Sequence, residues 1–515
     1  MEKRQPIQKS EATRKTFADL RFYFPVIAVQ GVMGLVSAAL VTKFFPPDDY
    51  GRYVLAFAVY SQLTLFTSLW LQQSVFRFAP QYRAGGRFHD FASTLLFAEL
   101  LLVSCLALVV PFLLFVVFRG ADAHLAYLVT VAVLGALIIP FVAAIEQLYR
   151  IDDRPKAYCF MVLFRILCGP ALGLLLSKGM HLGMAGFFSG IVAPHLFLFL
   201  LLLYRKREAV RALLGRRFMS LSILREVLLY SAPGVGIATV ASSLVLSDRY
   251  LIAWYSGAYD VAVYSIAYTI GNQGMELITA VLLGAGDPIA MRMWEEQGAV
   301  KAHPYLGQLL RYYSLLAIPA VVGLAVLGRQ LIPILSTGAY TEGWPVIGYV
   351  AVGVLFCGYA QIVSRLFFFR KQTLTPLFIY GSAAGANILL NVLLIPRFGY
   401  MAAAWSTVAS YVLLLLIVAL VATRSSCMGF SFRPCFRMAG SALFMGLLVY
   451  AIRDVFASAW LNLGLCLAAG ISSYVLALIV TGEIDAGDAA AAFRGLLFRL
   501  HAAVGGRKAP GGFSL

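Results

Sequence analysis

The chain has 515 residues, 61 % of them hydrophobic and 13 % charged, and its 41 Lys and Arg outnumber its 24 Asp and Glu to leave a net charge of +17. Soluble domains are nearer half apolar and a quarter charged, so this composition excludes an ordinary soluble enzyme and a disordered chain. The basic excess suits either nucleic acid or a membrane surface, and the distribution of apolar residues selects the membrane.

Apolar runs of about 20 residues, the length that crosses roughly 30 Å of hydrocarbon as a helix, recur from end to end. Barrel strands would alternate polarity over about 10 residues, and that pattern is missing. A basic tail, residues 1–21, precedes the first predicted helix at 22–45. Ser37, Ala38 and Ala39 are small enough for a cleaved signal peptide, which would leave thirteen helices. Further helices at 53–79, 91–118, 125–148, 157–176 and 184–204 complete an N-terminal six-helix bundle over 22–204. The connector 205–226 carries seven basic residues and an amphipathic pattern (Val210, Leu213, Leu214, Phe218, Leu221). It reads as a helix on the cytoplasmic lipid surface or a solvated one. Helices at 227–251, 260–286, 305–328, 345–368, 374–396 and 402–422 form a C-terminal bundle over 227–422. Two extra transmembrane helices, 438–452 and 461–481, occupy 423–481, and 482–515 is a cytoplasmic tail with an amphipathic stretch at 488–504. The predicted fold class is an all-α polytopic membrane protein of about 14 transmembrane helices.

With the N-terminus in the cytoplasm, inner loops and tails hold 29 Lys and Arg, the outer loops together with the outer ends of their spans (Lys43 and Arg249) hold 8, and the other four (Arg77, Arg165, Arg311, Arg365) lie elsewhere inside spans. This is the positive-inside bias, so the membrane suffices to explain the basic charge and nucleic acid is not a predicted partner. Pro25, Pro80 and Pro111 have partners 208 residues later in Pro233, Pro288 and Pro319, and Arg154 and Gly183 match Arg370 and Gly399 at a shift of 216. Tyr53-Val54-Leu55-Ala56 resembles Tyr264-Ser265-Ile266-Ala267 in the same way. Six helices per half keep the same orientation, so the repeat is parallel about an axis along the membrane normal. Two such bundles with a cleft between them suit alternating access.

Several segments resemble polysaccharide flippases of the MOP superfamily, the Wzx-type or PST family. They are Asp248-Arg249-Tyr250 to Tyr264, Ile318-Pro319-Ala320 through Ser336-Thr337-Gly338-Ala339-Tyr340, Asn387 to Pro396 followed by Gly399 and Ala402-Ala403, and Arg77-Phe78-Ala79-Pro80. The resemblance covers roughly residues 15–424. It implies translocation of an undecaprenyl-diphosphate-linked oligosaccharide, an O-antigen or exopolysaccharide repeat unit, across a bacterial cytoplasmic (inner) membrane. It further implies lipid-linked oligosaccharide, membrane lipids and polysaccharide polymerase machinery as partners, while the charge bias places both termini in the cytoplasm and acids deep in the spans suggest ion coupling. A cation-coupled multidrug antiporter and a peptidoglycan lipid-precursor flippase are the alternatives. The first often carries an acid in helix 1, the second arginines in helices 1, 2 and 8, and neither feature is present in helices 1 and 8 here. No metal cluster, nucleophile–base motif or phosphate loop occurs, and the outer loops are too short for a catalytic domain, so neither an enzyme nor a cofactor is predicted. The seven cysteines read as unpaired.

A charge at the centre of a span costs about 2.5–3.5 kcal/mol on the insertion scale, so depth separates lipid anchors from working groups. At about 1.5 Å per residue, Arg77 and Arg365 lie within about 8 Å of the cytoplasmic edge and Arg311 about 9 Å in. Arg165 and Glu99 lie about 12 Å deep and Glu276 about 15 Å. An arginine fork holds phosphate oxygens bidentately, which gives Arg165, Arg311, Arg365 and Arg77 as the diphosphate set, with lipid anchoring as the other role of Arg77 and Arg365. Glu276, Glu99 and Asp248 are the ion-coupling candidates, a mutual salt bridge being the alternative for the deep groups. Glu146 is expected to pair with Arg150 one turn on. Tyr268, Asn272, Gln273, Tyr359 and Gln361 are the sugar-path candidates, each equally able to bond between helices. His195 reads as structural and Asn387 and Asn391 as packing.

Overall fold

The computed structural model describes residues 25–26, 29–117, 123–215, 219–372, 374–423, 432–456, 458–485 and 487. The basic tail, the stretch 488–504, Cys427 and Phe218 lie outside them. The described chain is helical throughout, with 13 helices long and apolar enough to span a membrane and a shorter apolar helix, α1, at Val29–Phe44. The chain is therefore an all-α, multi-pass membrane protein.

The next five spans are α2 (Pro47–Ala84), α3 (Phe88–Val117), α4 (Ala123–Ile151), α5 (Pro155–Leu174, continued by a π-helical turn Leu175–Gly179) and α6 (Gly183–Arg205). α2 packs along α4, α4 against α6, and α5 against α6. The short α7 (Arg207–Gly215) leads to the second group, α8 (Leu221–Ser256), α9 (Ala258–Gln297), α10 (Ala299–Leu335), α11 (Trp344–Phe369), α12 (Leu374–Phe398) and α13 (Tyr400–Thr423). There α11 is central, touching α9, α10 and α13, while α12 packs on α8 and α13. Finally α14 (Phe432–Ile452) and α15 (Ala459–Val480) pair with each other and lie on α10. Their own apolar cluster includes Leu327, Met445, Val449 and Leu478.

Several helices overrun their predicted limits. α2 extends the expected 53–79 to 38 residues and α9 the expected 260–286 to 40. Apolar runs mark the part of a helix that meets hydrocarbon, and a helix continues past that part until its backbone is broken. Between α8 and α9, and again between α9 and α10, the break is one glycine with positive φ, Gly257 (92°) and Gly298 (67°), a conformation other residues avoid. The connector is likewise shorter than 205–226. Ser220 caps α8 by accepting from the Ile223 amide, and its own amide donates to Thr94 Oγ1 (3.1 Å). Leu221 therefore belongs to a span and not to the surface helix.

Candidate functional site

A central cavity of about 500 Å³ lies between the two helix groups, lined from α1, α2, α5 and α6 on one side and α8 and α9 on the other. Sequence spacing builds each wall. Tyr50, Tyr53, Phe57 and Tyr60 follow one another at three, four and three residues on α2, which places them on one helix face. All four line the cavity, with successive ring centroids 5.7–6.2 Å apart. Ser265, Thr269 and Gln273, at steps of four on α9, supply a polar ladder, and α1 adds Gln30 and Ser37.

Two arginines enter this space. Arg165, on α5, holds Glu146 of α4 through Nη2 at 2.7 and 2.9 Å from its two carboxyl oxygens. This replaces the expected Glu146–Arg150 pair. The reach from α4 to α5 brings Arg165 within contact, whereas Arg150 lies over the Tyr158 ring at 5.4 Å. The second arginine, Arg249, lies near the end of α8. Its Nη1 donates to Asp248 Oδ1 (2.9 Å) and to the Val245 carbonyl, and its guanidinium sits 4.5 Å from the Tyr268 ring centroid. Tyr264 donates its hydroxyl to the other Asp248 oxygen. Each guanidinium is thus neutralised by one carboxylate and packed on helices, which offsets the cost of carrying it within the membrane. Five N–H donors per arginine leave some free for a ligand in the cavity.

One end of the cavity is shut where α2 and α9 begin. A Cβ on Gly51 would lie 1.9 Å from the Ala258 carbonyl oxygen, so the two helix tips meet backbone to backbone. Tyr50 meets Tyr340 edge-on at 6.1 Å, and Lys43 Nζ donates to the Ile334 carbonyl (3.2 Å).

The residues singled out from sequence are dispersed relative to this cavity. Arg165 and Gln273 line it, and so does His195, whose Nδ1 lies 3.3 Å from the Ile191 carbonyl. Asp248 is buried behind Arg249, and Tyr268 beneath it. Arg311 instead ties α10 to Glu483 at 2.7 Å, and Arg365 ties α11 to Asp287 of α9 at 3.0 Å. Arg77 stands exposed on α2 and Asn272 is half-buried on α9. Tyr359 shares a 2.7 Å hydrogen bond with Ser314, and Gln361 donates to Cys357 Sγ at 3.5 Å. Glu276 lies inside the second group near Tyr313, Cys357, Tyr380 and Tyr411, and Glu99 lines a separate groove. Buried Asn387 and Asn391 bond to each other (3.1 Å), with Ser247 3.4 Å from Asn387. Sequence reasoning passed over Arg249 and the aromatic face of α2. The three-four-three spacing was a readable signal for the latter, whereas Arg249 stood too close to a span end to be separated from a loop charge.

The family model for polysaccharide biosynthesis proteins matches residues 22–294, more than half of the chain. The chain belongs to that family. Among curated relatives, an uncharacterised membrane protein of Methanocaldococcus jannaschii is 22 % identical over 445 residues, 78 % of this chain and 82 % of the relative. Among solved structures, the lipid II flippase MurJ in an inward closed conformation superposes with a TM-score of 0.73 at 15 % identity, covering 90 % of this chain and 99 % of that one. An inward-facing multidrug resistance MATE family transporter of the MOP superfamily superposes at 0.61 and 15 % identity, covering 77 % and 96 %. These likenesses establish the shared fold. Family membership adds a place in polysaccharide biosynthesis.

Proposed function

We propose that this member of the polysaccharide biosynthesis family is a flippase that moves a diphosphate-linked, isoprenoid-anchored oligosaccharide between leaflets by alternating access. One observation carries the reading. The central cavity combines two guanidiniums, Arg165 and Arg249, with an aromatic wall and a polar ladder. A lipid-linked glycan needs those three chemistries together. Its diphosphate takes the arginine donors, the C–H faces of its sugars stack on Tyr50, Tyr53, Phe57 and Tyr60, and its hydroxyls bond Ser265, Thr269 and Gln273. The cargo we assign is a repeat unit of O-antigen or exopolysaccharide on undecaprenyl diphosphate, passing outward across a bacterial inner membrane, with polymerase machinery receiving it.

The two helix groups act as the rocking units, with the Gly51–Ala258 contact as the gate at the outer end. The apolar groove that α14 and α15 form with α10, about 630 Å³ and lined by Leu327, Leu331, Leu463 and Leu478, suits the isoprenoid tail. Asp248 and Glu276 are the acids we assign to ion coupling. A protonated Asp248 would free Arg249 for phosphate, and deprotonation would return the arginine to its carboxylate and release the cargo.

The test is dithionite quenching of a fluorescent undecaprenyl-diphosphate glycan in proteoliposomes. Wild type is expected to expose the inner-leaflet pool. Arg249→Lys keeps the charge but loses the planar fork and is expected to slow flipping at least tenfold while remaining folded. Equal rates would remove Arg249 from the site, and no protein-dependent flipping with several glycans would sink the flippase reading.

A further inference from the structure

A polar pocket of about 370 Å³ lies where α10 finishes and α14 turns into α15. This is the end at which Lys43 meets the Ile334 carbonyl, the outer side by the charge bias. The connection between α14 and α15 is pinned from two sides. Gln330 Nε2, on α10, donates to the Arg453 carbonyl (2.5 Å) and to Asp454 Oδ1 (2.8 Å). Asn462, on α15, accepts from the Phe456 amide at 2.7 Å and donates to its carbonyl at 2.5 Å. The loop so held presents Arg453 to the pocket, and Arg329 enters it from α10. The Arg453 guanidinium sits 4.1 Å from the Tyr450 ring centroid, and it donates to Asp454 at 3.1 Å and to the Val326 carbonyl at 3.5 Å. Those bonds use two of its five N–H donors. Arg329 is exposed and has no acid partner among the described residues. Two guanidiniums against one carboxylate leave a net positive pocket with free donors, a setting that takes phosphate oxygens.

An apolar groove begins where the pocket ends. Gln330 and Asn462 line the pocket, while their neighbours Leu331 and Leu463 line the groove. Among the described residues no charged side chain lines this groove. It follows α10 from Leu331 back to Leu315, about 24 Å at 1.5 Å per residue, and it follows α15 from Leu463 to Leu478 over a similar span. One leaflet offers only half of roughly 30 Å of hydrocarbon. The acyl chains of an outer-leaflet phospholipid therefore stop well short of the far end. A free phosphate leaves the groove empty, and an uncharged prenol leaves both arginines unused.

We propose that pocket and groove together form an exit site, where a polyprenyl diphosphate already carried to the outer leaflet rests with its phosphates on Arg329 and Arg453 and its tail between α10 and α15. The assignment rests on the flippase reading for the cargo and adds to it an outward phosphate site distinct from Arg165 and Arg249. It lies wholly on α10, α14 and α15, so it travels with the second helix group.

The experiment is photocrosslinking of the purified full chain in maltoside detergent. The probe is undecaprenyl diphosphate with a diazirine on the isoprene unit next to its phosphates, and labelled peptides are identified by mass spectrometry. Label is expected on the α14–α15 connection and the end of α10, and also in the central cavity. Arg329→Glu, which strands no buried partner, is expected to lower the outer label at least fivefold and leave the central label unchanged. Arg249→Lys is expected to do the reverse, and Arg329→Gln serves if Arg329→Glu misfolds. Excess undecaprenyl phosphate should displace the outer label, and excess dioleoyl phosphatidylglycerol should not. Absence of outer label, indifference of that label to both Arg329 variants, or equal displacement by the phospholipid would each overturn the proposal. Failure of the flippase reading is told apart by dithionite quenching. Outer label without protein-dependent flipping would remove the exit role and leave a polyprenyl-phosphate site, whereas flipping without outer label would remove the site alone.

Discussion

Arg165 and Glu146 show how one contact serves two purposes. The pair is mostly buried, with side chains 16 % and 9 % exposed, so removing one partner strands the other in a medium that solvates it poorly. Arg165→Ala is therefore expected to destabilise the fold by about 3 kcal/mol, the cost of an uncompensated buried charge, read as a lower unfolding midpoint in detergent. Removing both, in Arg165→Ala with Glu146→Ala, is expected to recover most of that stability. Transport should not recover, because the cavity still lacks its guanidinium. A double variant that regained flipping would assign Arg165 a structural role only. Arg249 differs in that its carboxylate is the adjacent residue, with Tyr264 and Tyr268 completing the surround. Its neutralising partner therefore moves with α8, and that partner can be switched without separating two helices.

At the level of helices, the contact between α2 and α9 depends on the absence of one methyl group. Gly51 lets the two tips meet, and an added Cβ would overlap the Ala258 carbonyl oxygen at 1.9 Å, a backbone atom that cannot swing aside. Gly51→Ala is expected to part the tips and bias the protein toward a state open at that end. Ser265→Cys, buried at 2 % in the closed arrangement, reports this directly. In the Gly51→Ala background its labelling by a membrane-impermeant maleimide should rise several-fold. Unchanged labelling would show that the tips do not gate the cavity. The predicted spans for these helices located their apolar middles correctly and their ends short, since polar helix ends continue beyond hydrocarbon until Gly257 or Gly298 breaks them.

For the whole molecule, transport by alternating access requires the two helix groups to move against each other while the cavity stays intact. Lys43 of α1 reaches the Ile334 carbonyl at the end of α10, across the line that would open. Lys43→Cys with Ile334→Cys, joined by a short bifunctional thiol reagent, is expected to abolish flipping, and either cysteine alone with the reagent should leave most of it. Full activity of the linked form would exclude rocking at this end and point to a movement confined to one group. Glu483, buried at the end of α15, holds both Arg311 (2.7 Å) and Arg437 (3.7 Å), which fixes α14 and α15 to α10 so that the extra pair travels with the second group.

Length and apolar run determine a spanning helix because each span answers to lipid alone, and so the all-α fold and the approximate number of spans were readable from order and composition. Depth along a helix was readable too, which is why Arg165, Glu99 and Glu276 stood out. Partners were not. Arg165 joins Glu146 across two helices, Arg249 turns inward from the end of α8, and Arg311 and Arg365 settle on Glu483 and Asp287. Which charge meets which depends on how helices cross and rotate, and packing between distant segments sets both. The same cause separates Gln273, which lines the cavity, from Tyr268, five residues earlier on the same helix and buried beneath Arg249. Sequence alone placed polar groups in the membrane, and tertiary packing decided which of them share a chamber.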